Sequence, residues 1–403
     1  DDDLLVYRDD NVAARALTQM QSLGVDAVRV TVLWKNVAEN ARFSKTELAK
    51  LPKGSAIKRA ASKQTRRFKP ANPSTYPIRN WDRYDNLVKA AQDRGIRIYF
   101  NVTGPGPGWA HTKPPANLRA LAGTYKPRAS AFKQFVQAVG TRFSGTYRDE
   151  NASRGLLPRV NFWSLWNEPN QAGWLSPQWE RRGSSLVATS PVLFRRLHQA
   201  GYRGLLASGH NAGSDVILLG ETAPLGSDSR GPKAPMRPGL FLRELACISP
   251  DGTPYGGSQA DVRDCGALAA GLPANGYAHH PYTKNVPPTQ PDPSPDSMTM
   301  ANAPALGALL DQLSALSNGA IPANLPLFMT EFGFETNPPD PFSGVPLAAQ
   351  AQFNMTGEYL AWANPRIAAQ SQFLLQDVAP VRKHSRTSKA YWFTYQSGLY
   401  MYS

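Results

Sequence analysis

No apolar run in this chain reaches the roughly eighteen residues of a membrane span, which excludes a helical membrane anchor within it. The opening DDDLLVYRDD shows no signal peptide, and a trimmed mature end would read the same way. Cysteine is scarce: two in 403 residues, neither with partners at metal-ligand spacing. Acidic side chains are also few, 30 against 44 Lys and Arg, for a net charge of +14. Charged residues make up only 18% and hydrophobic ones 41%, a globular balance without the marks of disorder. The Gly-rich stretch VTGPGPGW (102–109) alternates glycine with proline and leads into no clean helix, so it is read as a rigid loop and not a nucleotide cradle.

What is present begins with the two thiols. Cys247 and Cys265 flank a segment rich in turn formers, and a disulfide closing that loop would imply an oxidising, extracellular setting. Basic residues cluster in KGSAIKRAASKQTRRFK (53–69). This run has no aromatic interleaving before Phe68 and no nucleic-acid motif, so it reads as a solvated insertion, with attraction to a polyanion as the functional alternative.

Along the chain, short apolar runs alternate with helical patterns. Helices are expected at 11–24, 81–95, 127–144, 191–208, 239–248, 303–316 and 348–363. Strands are expected at 25–34, 96–104, 160–169, 215–224, 275–283, 325–334 and 367–378, with an eighth, first in order, hidden in LLVYR (4–8). Such βα alternation predicts a parallel sheet covered by helices, and its length fits one (β/α)8 TIM barrel over 1–403 with long βα loops. A doubly wound sheet is the competing architecture.

In a barrel, reactive groups sit at the C-terminal ends of strands. WSLWNEPN carries Glu168 to the end of the expected fourth strand, and LFMTEFGF carries Glu331 to the end of the seventh. Both carboxylates would point into one mouth. Two facing carboxylates are what glycosidic cleavage requires: one protonates the leaving oxygen, the other attacks the anomeric carbon or activates water. Trp163 and Trp166 precede Glu168, and an apolar wall there would favour the protonated acid.

WNEPN and TEFG together resemble the signatures of clan A glycoside hydrolases, closest to family 39, with family 5 cellulase-like enzymes as neighbours. The resemblance implies a retaining enzyme on a (β/α)8 barrel that needs no cofactor or metal. It implies Glu168 as acid/base, Glu331 as nucleophile and Asn167 as the partner of a sugar 2-hydroxyl. It likewise matches Arg29 and Tyr282 to residues that flank the nucleophile. The chain departs from the clan at the expected eighth strand, where SQFLLQD offers Gln376 and Asp377 in place of a tryptophan platform.

Further candidates come from the residues themselves. Trp34, Trp109 and Trp174 are flat apolar faces for sugar stacking or else packing residues. His279 and His280 must point to opposite faces of a strand, and His280 is the one favoured for the site, by its nearness to Tyr282. Glu221 and Asn101 end expected strands and would reach the mouth as hydrogen-bonders, while Asp340 in its proline-stiffened loop reads as structural. The partner is then a carbohydrate, with an anionic polysaccharide among the candidates. The alternatives are a carbohydrate- or polyanion-binding barrel without turnover, or a transglycosylase on the same scaffold.

Overall fold

The computed structural model describes residues 1–151 and 155–402. Seven strands form one curled parallel sheet in chain order: β1 (Ala27–Leu33), β2 (Arg97–Thr103), β3 (Phe162–Leu165), β4 (Val216–Thr222), β5 (Gly276–His279), β6 (Leu327–Phe332) and β7 (Ile367–Gln372). Each strand is runner-up to none in position: every neighbouring pair is parallel, so each connection must cross over the sheet, and helices make those crossovers. Ahead of β1 stands α1 (Asp10–Ser22); the crossover helices are α2 (Ala56–Arg67), α3 (Asp82–Gln92), α4 (Ala129–Arg142), α5 (Thr189–Leu206), α6 (Pro238–Leu245), α7 (Ala303–Leu316) and α8 (Leu347–Ala363), with shorter elements between.

Local sequence accounts for the elements. In α1 the Asp9 carboxylate accepts from the N–H groups of Asn11 and Val12, which caps the helix start, and Gly24 follows its end at φ +80°. Ala13, Ala16, Leu17 and Met20 recur at helical spacing and are the buried face. The basic run 53–69, expected as a loop, is largely the helix α2, started by the Ser55 cap. Cys247 and Cys265 are joined by the expected disulfide.

The main core lies between sheet and helices. A smaller cluster of Tyr99, Phe162, Leu218 and Ala278 packs separately, with Tyr99 stacked on Phe162 at 4.2 Å. Register aligns Arg29, Tyr99 and Phe162 across β1, β2 and β3, so this cluster and the site share the concave face of the sheet.

Two expectations fail. Residues 4–8 are not a strand: Asp3–Tyr7 forms a helical turn that buries Leu5 and Val6. The sheet therefore has seven strands, with β1 and β7 unpaired to each other, and the strand leading into WNEP is third in the sheet. The seam between these edges is stapled by side chains. The Asp2 carboxylate accepts from Thr31 N at 2.9 Å, and that of Asp1 from Leu375 N and Gln376 N at 3.1 and 3.2 Å. Secondly, the strands expected at 160–169 and 275–283 stop early, at Leu165 and His279, so Asn167, Glu168, His280 and Tyr282 lie on the turns beyond them.

Candidate active site

β3 ends because Trp166 takes a left-handed φ of +81°, and Glu168 follows at +35°. Such conformations are costly for bulky side chains and persist only where surrounding structure enforces them. Here Trp166 N donates to Val102 O and Glu168 N donates to Glu221 O, both at 2.9 Å. The turn throws the Glu168 carboxylate out over the C-terminal end of the sheet. Glu331 comes from β6, whose register against β7 slips between Met329 and Phe332.

The two carboxylates meet around His280. A Glu168 oxygen, a Glu331 oxygen and a ring nitrogen of His280 all lie within 4.8 Å of one another. His280 Nδ1 is 3.0 Å from Glu168 Oε1 and 3.6 Å from Glu331 Oε2, and its Nε2 is 2.6 Å from Glu221 Oε2. Glu331 accepts from Arg29 Nη1 at 2.8 Å and from the Tyr282 hydroxyl at 2.9 Å. Burial and the Glu331 charge push the Tyr282 phenol well above its ordinary value, so it acts as a donor. Arg29 also donates to Asn167 Oδ1 at 2.6 Å, while Asn167 N donates to Thr103 Oγ1 at 2.9 Å.

Burial by itself would lower the His280 pKa. The charge of Glu331, the hydrogen bonds to Glu168 and Glu221, and the Glu221 charge outweigh it and lift the ring to about 10. The surrounding carboxylates therefore favour the cationic ring near neutrality. Glu168, His280 and Glu331 are also spaced as metal ligands would be, and a cation there would compete with protonation of His280.

Several expected residues stand elsewhere. Glu221 is fully buried among other side chains, away from the mouth where a sugar hydrogen-bonder was expected. His280, favoured over His279 for the site, does enter it, but its ring is fully buried and bonds the carboxylates rather than lining an open subsite. Trp34 is core, stacked on Phe135 at 5.4 Å, because its position after β1 turns it under the helix layer. Trp109 packs edge-on against Trp34 and Phe68, and Trp174 offers its carbonyl to Trp166 Nε1. Gln376 donates weakly to Met401 O at 3.4 Å. None of these four lines the cleft. The apolar wall expected for Glu168 is also absent: Trp163 and Trp166 are buried behind it, and its carboxylate faces the His280 ring. His279 bonds Thr222 and the Met298 carbonyl, Asn101 bonds Ser164, and Asp340 caps its own loop through Phe342 N and Ser343 N.

A cleft of about 650 Å³ opens at Glu168 and Tyr282, and its walls include Phe373, Tyr395, Lys284, Lys389 and Glu335. Glu331 and Arg29 line an adjoining cavity of about 370 Å³ at the β1–β7 seam, and Phe373 borders both. Sequence reasoning missed these wall residues. Phe373 was within reach, since it lies in SQFLLQD three residues before Gln376, just past the true end of β7. Tyr395, Lys284 and Lys389 sit in segments without strand or helix pattern. Glu335 is half-buried, and burial together with the Asp340 charge raises its carboxyl to about 7.

No protein-family model matches the chain, and no curated protein matches it in sequence. Its fold is similar to solved glycosidase structures. A family 39 glycoside hydrolase from Bacteroides cellulosilyticus WH2 aligns over 98% of this chain and 58% of its own, with a TM-score of 0.51 and 14% identity. This chain therefore spans little over half the length of that protein. A family 1 β-glucosidase from Thermotoga maritima aligns over 97% of this chain and 81% of its own, with a TM-score of 0.52 and 11% identity. A β-glycosidase from Thermosphaera aggregans aligns over 98% and 81%, with a TM-score of 0.52 and 14% identity. At such identities the likeness is one of fold. No helix among the described residues is long and apolar enough to cross a membrane.

Proposed function

We propose that this chain is an O-glycosyl hydrolase that cleaves a poly- or oligosaccharide by double displacement with retention. The observation that carries this reading is the carboxylate pair: Glu168, just past β3, and Glu331, the penultimate residue of β6, present oxygens no more than 4.8 Å apart. Retaining enzymes hold their carboxyl groups about 5–5.5 Å apart, whereas inverting ones leave about 6.5–9.5 Å for a water. The short separation favours retention.

In the first step Glu331 attacks the anomeric carbon as Glu168 protonates the departing oxygen. In the second, water attacks the glycosyl–Glu331 ester, and Glu168 takes its proton. Arg29 and Tyr282 fix the direction of the Glu331 lone pairs. Arg29 occupies Oδ1 of Asn167, which leaves the Asn167 amide NH2 as a donor for the sugar 2-hydroxyl. Phe373 and Tyr395, 5.1 Å apart and edge to face, supply apolar wall area where clan A enzymes carry a tryptophan platform and this chain does not. The family 39 likeness of WNEPN and TEFG, the carbohydrate partner and secretion belong to this proposal. The disulfide supports the last of these.

The test is a panel of aryl glycosides followed by proton NMR of the first product anomer, with Glu331→Ala as control. Retained configuration, lost in the control, is expected. An inverted first product sinks the double displacement, and sugar binding without turnover moves the carbohydrate-binding reading to the front.

A further inference from the structure

Glu221 is the feature of the site that the reaction scheme leaves unused. Its side chain is fully buried, and an unpaired buried carboxylate costs several kcal/mol. It stands where β4 breaks register against β5, between Gly220 and Thr222. Gly220 has φ +112°, and a Cβ there would meet Ala278 O at 2.5 Å. Glu221 itself has φ +55°. A bulge of this kind re-aims a side chain, and here it aims a carboxylate into the concave face.

Donors from five other strands or their ends converge on that carboxylate. Oε1 accepts from Ser164 Oγ at 2.6 Å, from Arg29 Nε at 3.3 Å and from the Tyr99 hydroxyl. Oε2 accepts from His280 Nε2 at 2.6 Å, Thr330 Oγ1 at 2.9 Å and Arg29 Nη2 at 3.1 Å. Burial would raise the Glu221 pKa, but Arg29, His280 and Ser164 reverse this and hold it well below the carboxylate range. Glu221 does not line the cleft; its side chain reaches the reacting carboxylates through Arg29 and His280. Arg29 bridges it to Glu331, and His280 bridges it to both Glu168 and Glu331.

We propose that Glu221 is a positioning residue that locks His280 as an imidazolium, with Nε2–H on Glu221 and Nδ1–H directed at the Glu168–Glu331 pair. The inference rests on the double-displacement reading for its consequence, which is a constant charge. Before the first step, Arg29 and His280 balance Glu221 and Glu331, with Glu168 carrying the proton that the reading requires. Attack forms the bond from Glu331 to the anomeric carbon and breaks the bond to the leaving oxygen, which takes the Glu168 proton. Glu331 is then a neutral ester and Glu168 an anion, so the sum is unchanged. The negative charge has moved from one side of the same Nδ1–H to the other. Hydrolysis reverses the transfer: water bonds to the anomeric carbon, the ester bond breaks, and a water proton returns to Glu168. A fixed dipole already in place for both charge positions is the preorganisation that lowers such barriers.

The titratable and charged groups facing His280 are Glu168, Glu221 and Glu331, with Tyr282 and His279 on its own segment and Arg29 and Tyr99 behind Glu221. The experiment follows the His280 ring in histidine-15N-labelled protein as pH is raised, assigned by its loss in His280→Asn. In the unmodified chain the ring should stay cationic through pH 8. In Glu221→Gln, which keeps the shape but removes the charge, its titration should fall by at least about two pH units. On any aryl glycoside the chain hydrolyses, kcat should drop about 10²-fold with KM nearly unchanged, and the alkaline limb should move down with the ring. A neutral His280 at pH 7 in the unmodified chain overturns the proposal, even where Glu221→Gln does not fold. So does an unchanged His280 titration in folded Glu221→Gln. If the ring behaves as stated and no glycoside is cleaved, the hydrolase reading fails and the Glu221–His280 lock stands.

Discussion

The backbone N–H of Glu168 donates to the carbonyl of Glu221 at 2.9 Å. Both residues are in left-handed conformations, at φ +35° and +55°, and their side chains grip the same imidazole from opposite nitrogens. The turn after β3 and the bulge in β4 are therefore one unit. A change that relaxes either backbone should disturb the aim of both carboxylates.

Loss of the acid should depend on the leaving group. Glu168→Ala should lower kcat/KM by about 10²–10⁴-fold on glycosides with poor leaving groups. On a nitrophenyl glycoside the loss of the first step should be much smaller, because that group departs without a proton. Equal losses across a leaving-group series would remove Glu168 from the acid role.

The cleft should change charge near neutrality. Glu335 lines it and titrates at about 7. KM for a neutral glycoside should inflect near that pH, and the inflection should vanish in Glu335→Gln. An identical profile in the variant would place Glu335 outside the bound substrate's reach.

Stability should decline on both sides of neutrality for reasons traceable to two residues. The folded His280 pKa is raised from 6.5 to about 10, so its contribution is complete below pH 6.5 and is lost as pH rises through 10. The Glu221 pKa is depressed from 4.5, so its contribution is present above that value and is lost as pH falls below it. Thermal melts from pH 6 to 10 should show a steeper fall for the unmodified chain than for His280→Asn. Parallel curves would mean that the ring does not gain its proton on folding.

Reduction should weaken the fold without touching the site. The Cys247–Cys265 bond closes a loop at a sequence separation of 18, for which chain entropy gives about 3 kcal/mol. Cys247→Ala/Cys265→Ala should melt several degrees lower and keep its turnover at 25 °C. Lost turnover in a still-folded variant would tie this loop to the cleft.

Much was legible in the chain. Helical spacing and valine-rich runs gave the existence and order of the seven sheet strands and seven of the eight longer helices, because those patterns are set by near neighbours in the chain, while several strand ends were placed four to six residues too far on. The run 4–8 misled because five apolar-rich residues suit a buried strand and a buried helical turn equally. The reach of β3 was overestimated because Trp166 looks like a strand residue, and only its hydrogen bond to Val102 O commits it to a turn. Trp34 and Glu221 were misplaced at the mouth because alternation does not reveal how strongly a strand end is rotated, least of all past a bulge.

The sequence by itself determined the βα order, the disulfide pairing and the placing of Glu168 and Glu331 at the C-terminal rim of the sheet, all of them local or nearly local facts. Only the tertiary structure decided what those carboxylates meet. Arg29 reaches Glu331 across 302 positions of chain and Glu221 across 192, and His280 reaches Glu168 across 112. Such contacts depend on sheet register, on bulges and on the burial that makes an unpaired charge intolerable. Those are properties of the folded chain and leave no pattern in the order of its residues.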